Sequence, residues 1–180
     1  MSGDEARVQL ARDPTCSVVV QPLGDTSGSS LLCQLDGKAR RLVATRNHSV
    51  LSVDLRTLLA ANNQTLIPII DRYVSTPTEE NWRAVKAATE EVQNLVTLTM
   101  LSLAQYDKSL DEMASAGAAG EFDKSTGQLK QVLRMRSSAL EENSVSPPRS
   151  ADHVRRRKGV YLELLRRLEV ELAGIDRVLR

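Results

Sequence analysis

The sequence predicts a mainly α fold: an elongated helical bundle or set of coiled-coil helices, about four in number, with a small β-hairpin or disordered N-terminal region. Apolar residues make up 41% of the chain and charged residues 26%, whereas aromatic residues make up only 3%. A core of Leu, Val, Ile and Ala with so few rings suits helix packing better than a β-sandwich. Beyond residue 50, apolar residues recur at steps of three and four, the period of one helix face.

The first segment, residues 1–48, is expected to form a β-hairpin or to be flexible. The dipeptide Asp36-Gly37 separates two short apolar runs, residues 31–35 and 41–45. Such a dipeptide favours a two-residue hairpin turn, because both of its positions accept a positive φ. A lone hairpin is marginally stable in water, so this one either packs on the helices or on a partner, or stays disordered.

Cys16 and Cys33 bear on the compartment rather than on chemistry. Their spacing, with no second pair and no nearby His, does not fit a zinc site. Residues 1–15 lack the apolar core of a signal peptide, and the longest apolar runs are too short to span a bilayer. We therefore expect an intracellular, reducing location with free thiols, in the cytoplasm or alternatively in the nucleus.

The second segment, residues 49–114, is predicted to be a helical hairpin with one long coiled-coil helix. Pro68 interrupts the first apolar stripe, which predicts a kink or a new helix beginning near Thr65. Thr76 is predicted to cap the long helix, with Pro77 as its first residue. Its seam alternates steps of three and four without a slip and consists of Trp82, Val85, Thr89, Val92, Val96, Thr99, Leu103, Tyr106, Leu110 and Met113.

Additional apolar residues lie outside this seam in the middle of the long helix, namely Leu95, Leu98, Met100 and Leu101. A helix that is apolar on most sides must be covered on most sides. The sequence therefore predicts a bundle of three or more helices at this level, rather than a two-stranded rod.

The third segment, residues 115–148, is predicted to contain a loop, a helix over residues 122–142 and a proline-rich linker. Pro147 and Pro148 end the helix, because two successive prolines cannot continue it. The residues predicted to point inward are Leu129, Val132, Leu133, Met135 and Leu140.

The fourth segment, residues 149–180, is predicted to be a coiled-coil helix capped by Ser150. Its seam consists of Val154, Lys158, Tyr161, Leu165, Leu168, Leu172, Ile175 and Leu179. The run Arg155, Arg156, Arg157 and Lys158 is interpreted as the charged shoulder of this helix. A nuclear import signal and a nucleic-acid contact are the alternatives for this possible basic patch, although no aromatic stacking residues accompany it.

No catalytic, metal-binding or cofactor-binding pattern is evident. His48 and His153 have no Glu three residues before them, as helical metal sites require. The net charge of +1 gives no general attraction to an anionic partner. We expect a protein that is not an enzyme and needs no cofactor: a scaffold or adaptor subunit that assembles with other helical proteins.

The assembly is expected to be a hetero-oligomer, with a homo-oligomer as the alternative. A self-contained four-helix bundle, whose seams face one another, has the same sequence pattern and stays open. The residues predicted to contact a partner are Trp82, Val92, Leu95, Leu98, Leu101, Leu103, Tyr161, Leu165, Leu168, Leu172, Ile175 and Leu179.

The segment NLVTLTMLSLAQYDKSLDEM, residues 94–113, resembles the central helix of small coiled-coil subunits in adaptor complexes that position lysosomes and related organelles. The resemblance covers this one helix and includes no diagnostic motif. It implies a subunit of an organelle-positioning or tethering complex. A kinetochore-type or other nuclear assembly that uses residues 155–158 has the same helical pattern and is a further alternative.

Overall fold

The computed structural model describes residues 26–115, 126–144 and 148–177, with residues 26–36 described by their backbone alone. The helices are α1 (Thr26–Ala61), α2 (Ile67–Ser75), α3 (Glu79–Ser115), α4 (Gly127–Glu141) and α5 (Ala151–Asp176). A π-helical turn, Asn62–Leu66, joins α1 to α2, and a 3-10 turn, Glu142–Ser144, follows α4. These described residues include no strand, so the predicted mainly α fold is confirmed.

Several predictions fall outside the described residues. They concern residues 1–25, the side chains of Cys16 and Cys33, the loop over residues 116–125, and Leu179. In the described part of the chain, no helix combines the length and the apolar character needed to cross a membrane.

The chain divides into two compact units. Unit 1 is Met1–Ser49 with Gln105–Lys124, of which residues 26–49 and 105–115 are described. Unit 2 is Val50–Ala104 with Ser125–Arg180. Helices α1 and α3 each contribute residues to both units. The boundary falls between Ser49 and Val50 in α1, and between Ala104 and Gln105 in α3. The division into segments 1–48, 49–114, 115–148 and 149–180 stays a prediction.

Unit 1 pairs the first part of α1 with the last part of α3. Arg40 Nη1 donates to the carbonyl of Glu112 at 2.8 Å. Asn47 Nδ2 donates to the hydroxyl of Ser109 at 2.5 Å. Since later positions on α1 meet earlier positions on α3, the two helices run antiparallel in this unit.

The predicted β-hairpin around Asp36-Gly37 is wrong, because residues 26–48 are helical within α1. The backbone of Gly37 is not in the left-handed region that the turn requires, and a Cβ there would meet nothing within 4 Å. The surrounding Leu, Ala, Lys, Arg and Gln residues favour a helix, and one Gly costs it only about 1 kcal/mol. Packing of the His48 ring on Tyr106, with centroids 5.5 Å apart, adds burial that a solvated hairpin lacks.

Unit 2 begins with a helical hairpin in which α1 and α2 pair with α3. Tyr73 and Trp82 face each other across the turn, with ring centroids 5.1 Å apart. Further from the turn, the Ser102 hydroxyl on α3 donates to the Asp54 carboxylate on α1. These two contacts fix an antiparallel register in this unit, in which residue 54 lies level with residue 102.

The predicted interruption at Pro68 takes the form of a π-helical turn followed by a new helix. Pro68 lies in the first turn of α2, where its missing N–H is tolerated. The π-helical turn directly before it absorbs the break in the hydrogen-bond ladder. The second helix therefore begins at Ile67, close to the predicted start at Thr65.

The cap of α3 is two residues later than predicted. Thr78, not Thr76, accepts a hydrogen bond from the N–H of Asn81, at 3.2 Å, and α3 begins at Glu79. Both threonines could serve as caps, but beginning at Glu79 places two carboxylates in the first turn, where the helix dipole favours negative charge. Pro77 therefore precedes the helix.

Helix α5 is joined to the helical hairpin at both of its ends. Ser150 caps it as predicted, by accepting from the N–H of His153 at 3.2 Å. Near its start, Lys158 Nζ lies 2.5 Å from Asp71 Oδ1 on α2. At its end, Asp176 accepts hydrogen bonds from Ser52 and Arg56 on α1.

Candidate functional site

Most residues of the predicted partner interface are buried within the chain itself. The buried members are Trp82, Val92, Leu103, Tyr161, Leu165, Leu168 and Ile175. Leu95 and Leu172 are half-buried, while Leu98 and Leu101 are exposed. In this conformation the two seams form the core of the bundle, so a partner can reach only the residues that lie outside them.

The exposed residues of α3 lie beside exposed residues of α1 and form what we call the α1–α3 apolar face. Its members and their exposed fractions are Val50 (41%), Val53 (57%), Leu98 (54%) and Leu101 (59%). On each helix the two members are three residues apart, so they share a face. Because the helices are antiparallel and residue 54 lies level with residue 102, Val53 and Leu101 lie close to this level, while Val50 and Leu98 extend from it in opposite directions along the helix pair.

The α1–α3 apolar face lies in a part of the bundle with little free charge. Residues 57–70 and residues 92–106 contain no charged side chain. The nearby charges of α1 are engaged within unit 2. Asp54 accepts the hydrogen bond from Ser102, and Arg56 Nη2 lies 2.6 Å from Asp176 Oδ2. On α3 the outer side is therefore uncharged over about four turns, and its other exposed residues there are the small or polar Asn94, Thr97, Ala104 and Gln105.

The basic run of α5 is largely neutralised by ion pairs within the chain. The pairs are Arg155 with Asp152 (2.6 Å), Arg157 with Glu142 (2.9 Å) and Lys158 with Asp71 (2.5 Å). Arg156 is exposed and has no ion pair among the described residues. Lys158, predicted to lie in the seam, is half-buried and joins α5 to α2.

A cluster of polar side chains is buried between the π-helical turn, α4 and α5 in unit 2. At its centre is Arg136 of α4, with 0% of its surface exposed. Its Nη2 donates to Asn62 Oδ1 in the π-helical turn, and its guanidinium lies 5.1 Å from the centroid of the Tyr161 ring. Its Nε and Nη1 groups have no hydrogen-bond acceptor among the described residues. A guanidinium is thus buried with one neutral acceptor and one aromatic face.

The hydroxyl of Tyr161 extends this cluster toward α3. It donates to Asn143 Oδ1 at 3.0 Å, and Asn143 Nδ2 donates to the hydroxyl of Thr89 at 3.3 Å. All three residues are buried. Since a buried polar group without a partner costs about 1–3 kcal/mol, this chain of hydrogen bonds fixes how α5, the 3-10 turn and α3 meet.

Glu142 is the carboxylate at the edge of the cluster. Its Oε2 lies 3.1 Å from His153 Nε2 and 2.9 Å from Arg157 Nε. The second distance is that of an ion pair, but the Arg157 N–H is not directed at the oxygen. The Arg157 guanidinium also faces Tyr161, 6.0 Å from the ring centroid. Two guanidinium groups therefore share one aromatic ring, with a single carboxylate beside them.

Burial perturbs both central groups of the cluster. It lowers the pKa of Arg136 to about 10, against an opposing effect of Tyr161. Burial also raises the pKa of Tyr161, while the positive charge of Arg157 acts in the opposite direction. At neutral pH Arg136 is therefore still a cation, and Tyr161 is a neutral phenol that can donate its hydrogen bond.

Arg136 is a central residue of this cluster that was not predicted from the sequence, in which its neighbour Met135 was expected to point inward. Met135, predicted to point inward, is 41% exposed, whereas Arg136 is buried. The signal was present in the spacing: Leu129, Val132, Arg136, Leu140 and Asn143 follow at steps of three and four and are all buried. Because a charged residue is rarely fully buried, residue type alone does not predict that Arg136 lies inside.

Among the described residues, no group of three or more His, Cys, Asp or Glu is arranged to hold a metal ion. No family model, curated protein or solved structure matches this chain. Two features of the chain's own geometry bear on function: the α1–α3 apolar face and the buried cluster around Arg136.

Proposed function

We propose that this protein is a non-enzymatic structural subunit that assembles with other helical proteins, and that one helix of a partner binds the α1–α3 apolar face. The observation that carries the proposal is the exposure of four large apolar side chains on one neutral surface. Contiguous exposed apolar patches on soluble proteins commonly mark interaction sites. The two seams fit equally well a bundle that needs no partner, but such a bundle does not account for this surface.

The geometry of the face suits a helix rather than a strand or a loop. Val50 and Val53 on α1, and Leu98 and Leu101 on α3, follow one another along the groove between the two antiparallel helices, with Val53 and Leu101 nearest to each other. An amphipathic helix binds such a groove through apolar residues at positions i, i+3 or i+4, and i+7. The neutral segment of about four turns accommodates a partner helix of about 14 residues.

Charge at one end of the face favours a particular orientation of that helix. Glu90 and Glu91 are exposed on α3, just before the uncharged residues 92–106. A partner helix with an uncharged apolar stripe and Lys or Arg at the end near Glu90 is complementary to this surface. This pattern distinguishes the proposed partner from a second copy of the face, which would bring like charges together in a parallel pairing.

The finer form of the proposal is a subunit of an organelle-positioning or tethering complex. It is supported by the resemblance of residues 94–113, a segment that includes Leu98 and Leu101. Nucleic-acid binding through residues 155–158 is less well supported, because three of the four cations there are paired within the chain.

The test compares two doubly substituted chains, each tagged and expressed in the native cell. Leu98→Glu with Leu101→Glu places two charges on the α1–α3 apolar face. The matched control, Leu162→Glu with Val170→Glu, places two charges on exposed apolar positions of α5. We expect at least about tenfold loss of the co-purifying partner from the first chain and full recovery from the control.

A photo-crosslinker at position 98 identifies what touches the face. A crosslinked peptide from another protein, with an apolar stripe at helical spacing and a basic end, supports the proposal. Equal recovery of partners by both doubly substituted chains overturns it. So does a crosslink that joins position 98 only to a second copy of this chain.

A further inference from the structure

The buried cluster around Arg136 contains more positive than negative charge. Arg136 and Arg157 both face the ring of Tyr161, at 5.1 and 6.0 Å from its centroid. Glu142 is the carboxylate beside them, and it is already 2.9 Å from Arg157 Nε. Arg157 and Glu142 are both partly exposed, with 29% and 34% of their side-chain surface accessible, and they balance each other, which leaves the buried charge of Arg136 as an excess of one positive charge.

Acidic groups on the neighbouring elements do not remove this excess. Asp71 on α2 pairs with Lys158, and Asp152 in the first turn of α5 pairs with Arg155. The groups that do reach Arg136 are the amide oxygen of Asn62 and the ring of Tyr161, both of them uncharged. Within the part of the chain that the structure describes, the buried guanidinium therefore has no counter-charge of its own.

A buried cation in this state is unfavourable unless another group compensates it. Moving an unpaired ion out of water costs several kcal/mol even after the surroundings relax. Arg136 is fully buried, and its Nε–H and Nη1–H have no acceptor among the described residues. Two strong donors on a buried cation favour a ligand that accepts hydrogen bonds and carries negative charge.

We propose that the cluster binds one small monovalent anion, of the halide class, at the Nε and Nη1 groups of Arg136. One negative charge matches the excess of one positive charge, whereas a divalent oxyanion would leave a new imbalance. Because Arg136 is fully buried among closely packed helices, only a small anion fits beside it without displacing side chains. The anion would stabilise the arrangement of α1, α4 and α5 around the π-helical turn, independently of partner binding.

Chloride is the anion to use in the test. Thermal unfolding of the full chain is followed while chloride replaces gluconate at constant ionic strength. We expect the midpoint temperature of the parent chain to rise saturably, by about 3–6 °C at a tenfold excess over half-saturation. Arg136→Met removes the guanidinium and keeps an apolar side chain of similar length, so it should lose this rise. Arg156→Met removes an exposed cation of α5 and should retain the rise.

A second measurement uses only the parent chain, in case the Arg136→Met chain does not fold. Chlorine NMR should show line broadening that saturates at one chloride per folded chain and disappears on unfolding in urea. The proposal is overturned if the parent has the same midpoint temperature in chloride and in gluconate. It is also overturned if the Arg136→Met chain responds like the parent, or if the broadening does not saturate.

Discussion

At the scale of single residues, burial keeps the hydroxyl groups of Tyr73, Tyr106 and Tyr161 protonated. Tyr73 donates its hydroxyl to the carbonyl of Arg149 at 2.5 Å, and Tyr161 donates to Asn143. Tyr106 packs its ring edge to face on His48. Burial raises the pKa of all three. Each ring therefore contributes to stability as a neutral phenol, and ionising it must oppose folding.

Tyr106→Phe tests this at one site in unit 1. Burial, with a smaller effect of the charge of Asp107, raises the pKa of Tyr106 from 10.0 to about 12. The contribution of the neutral phenol is therefore complete below pH 10 and is lost as the pH rises from 10 to about 12. Over this range the parent should lose about 2–3 kcal/mol more of its free energy of unfolding than the Phe variant does.

The measurement is urea unfolding of both chains at several pH values from 7 to 12. The difference in unfolding free energy between the two chains should stay constant up to pH 10 and then change in favour of the Phe variant. Two curves that remain parallel up to pH 12 would show that Tyr106 ionises as easily in the folded chain as in the unfolded one.

At the scale of helices, the elements that the sequence predicts well are those whose apolar spacing is long and regular. All ten seam positions predicted for α3 lie in that helix, and all but the half-buried Leu110 are buried. In α5 the spacing likewise identified Tyr161, Leu165 and Leu168 as buried. Over many turns, a single residue that departs from the pattern does not change the period, so the buried faces of these helices could be predicted from the sequence.

What could not be predicted is where a local signal or a residue type conflicts with tertiary contacts. Asp36-Gly37 indicates a turn by itself, but the pairing of α1 with α3 outweighs it. Arg136 is polar by type, but its spacing and its contacts with Asn62 and Tyr161 place it inside. The candidate site was likewise only partly predictable. Leu98 and Leu101 were identified from the sequence, whereas the position of Val50 and Val53 near them follows only from the register set by the hydrogen bond between Ser102 and Asp54.

Gly37→Ala distinguishes the helix from the hairpin directly. In α1 an added Cβ at this position meets nothing within 4 Å, and no left-handed φ opposes it. Alanine should therefore stabilise the chain by up to about 1 kcal/mol and increase its helical circular dichroism. In a hairpin turn the same substitution would destabilise, because Ala accepts a positive φ poorly.

Gly159→Ala is the matched control, since Gly159 lies in the middle of α5 and also has open space around its Cα. The two substitutions should have effects of the same sign and similar size on unfolding free energy. A gain at position 159 with a loss at position 37 would contradict the helical assignment of residues 26–48.

At the scale of the whole molecule, the described parts of the two compact units differ in how many buried residues they contain. The buried residues described in unit 1 are few, namely Ala44, His48, Tyr106, Ser109 and Met113. All other buried residues of the described chain belong to unit 2, which also contains the α1–α3 apolar face and the Arg136 cluster. Regions with little buried apolar surface open at lower free energy than the core.

Hydrogen exchange should therefore detect two levels of opening, with amides of unit 1 exchanging faster than those in the core of unit 2. Met113→Ala removes a buried side chain of unit 1 and should cost about 2–5 kcal/mol there. Leu168→Ala is the matched core substitution in unit 2, at a residue that is 0% exposed. We expect Met113→Ala to speed exchange at residues 37–49 and 105–115 alone, and Leu168→Ala to speed exchange throughout unit 2.

If Met113→Ala lowers protection around Tyr161 as much as in unit 1, the chain unfolds as one cooperative body. In that case substitutions in unit 1 would also disturb the α1–α3 apolar face, and only binding assays on chains of equal stability could isolate its role.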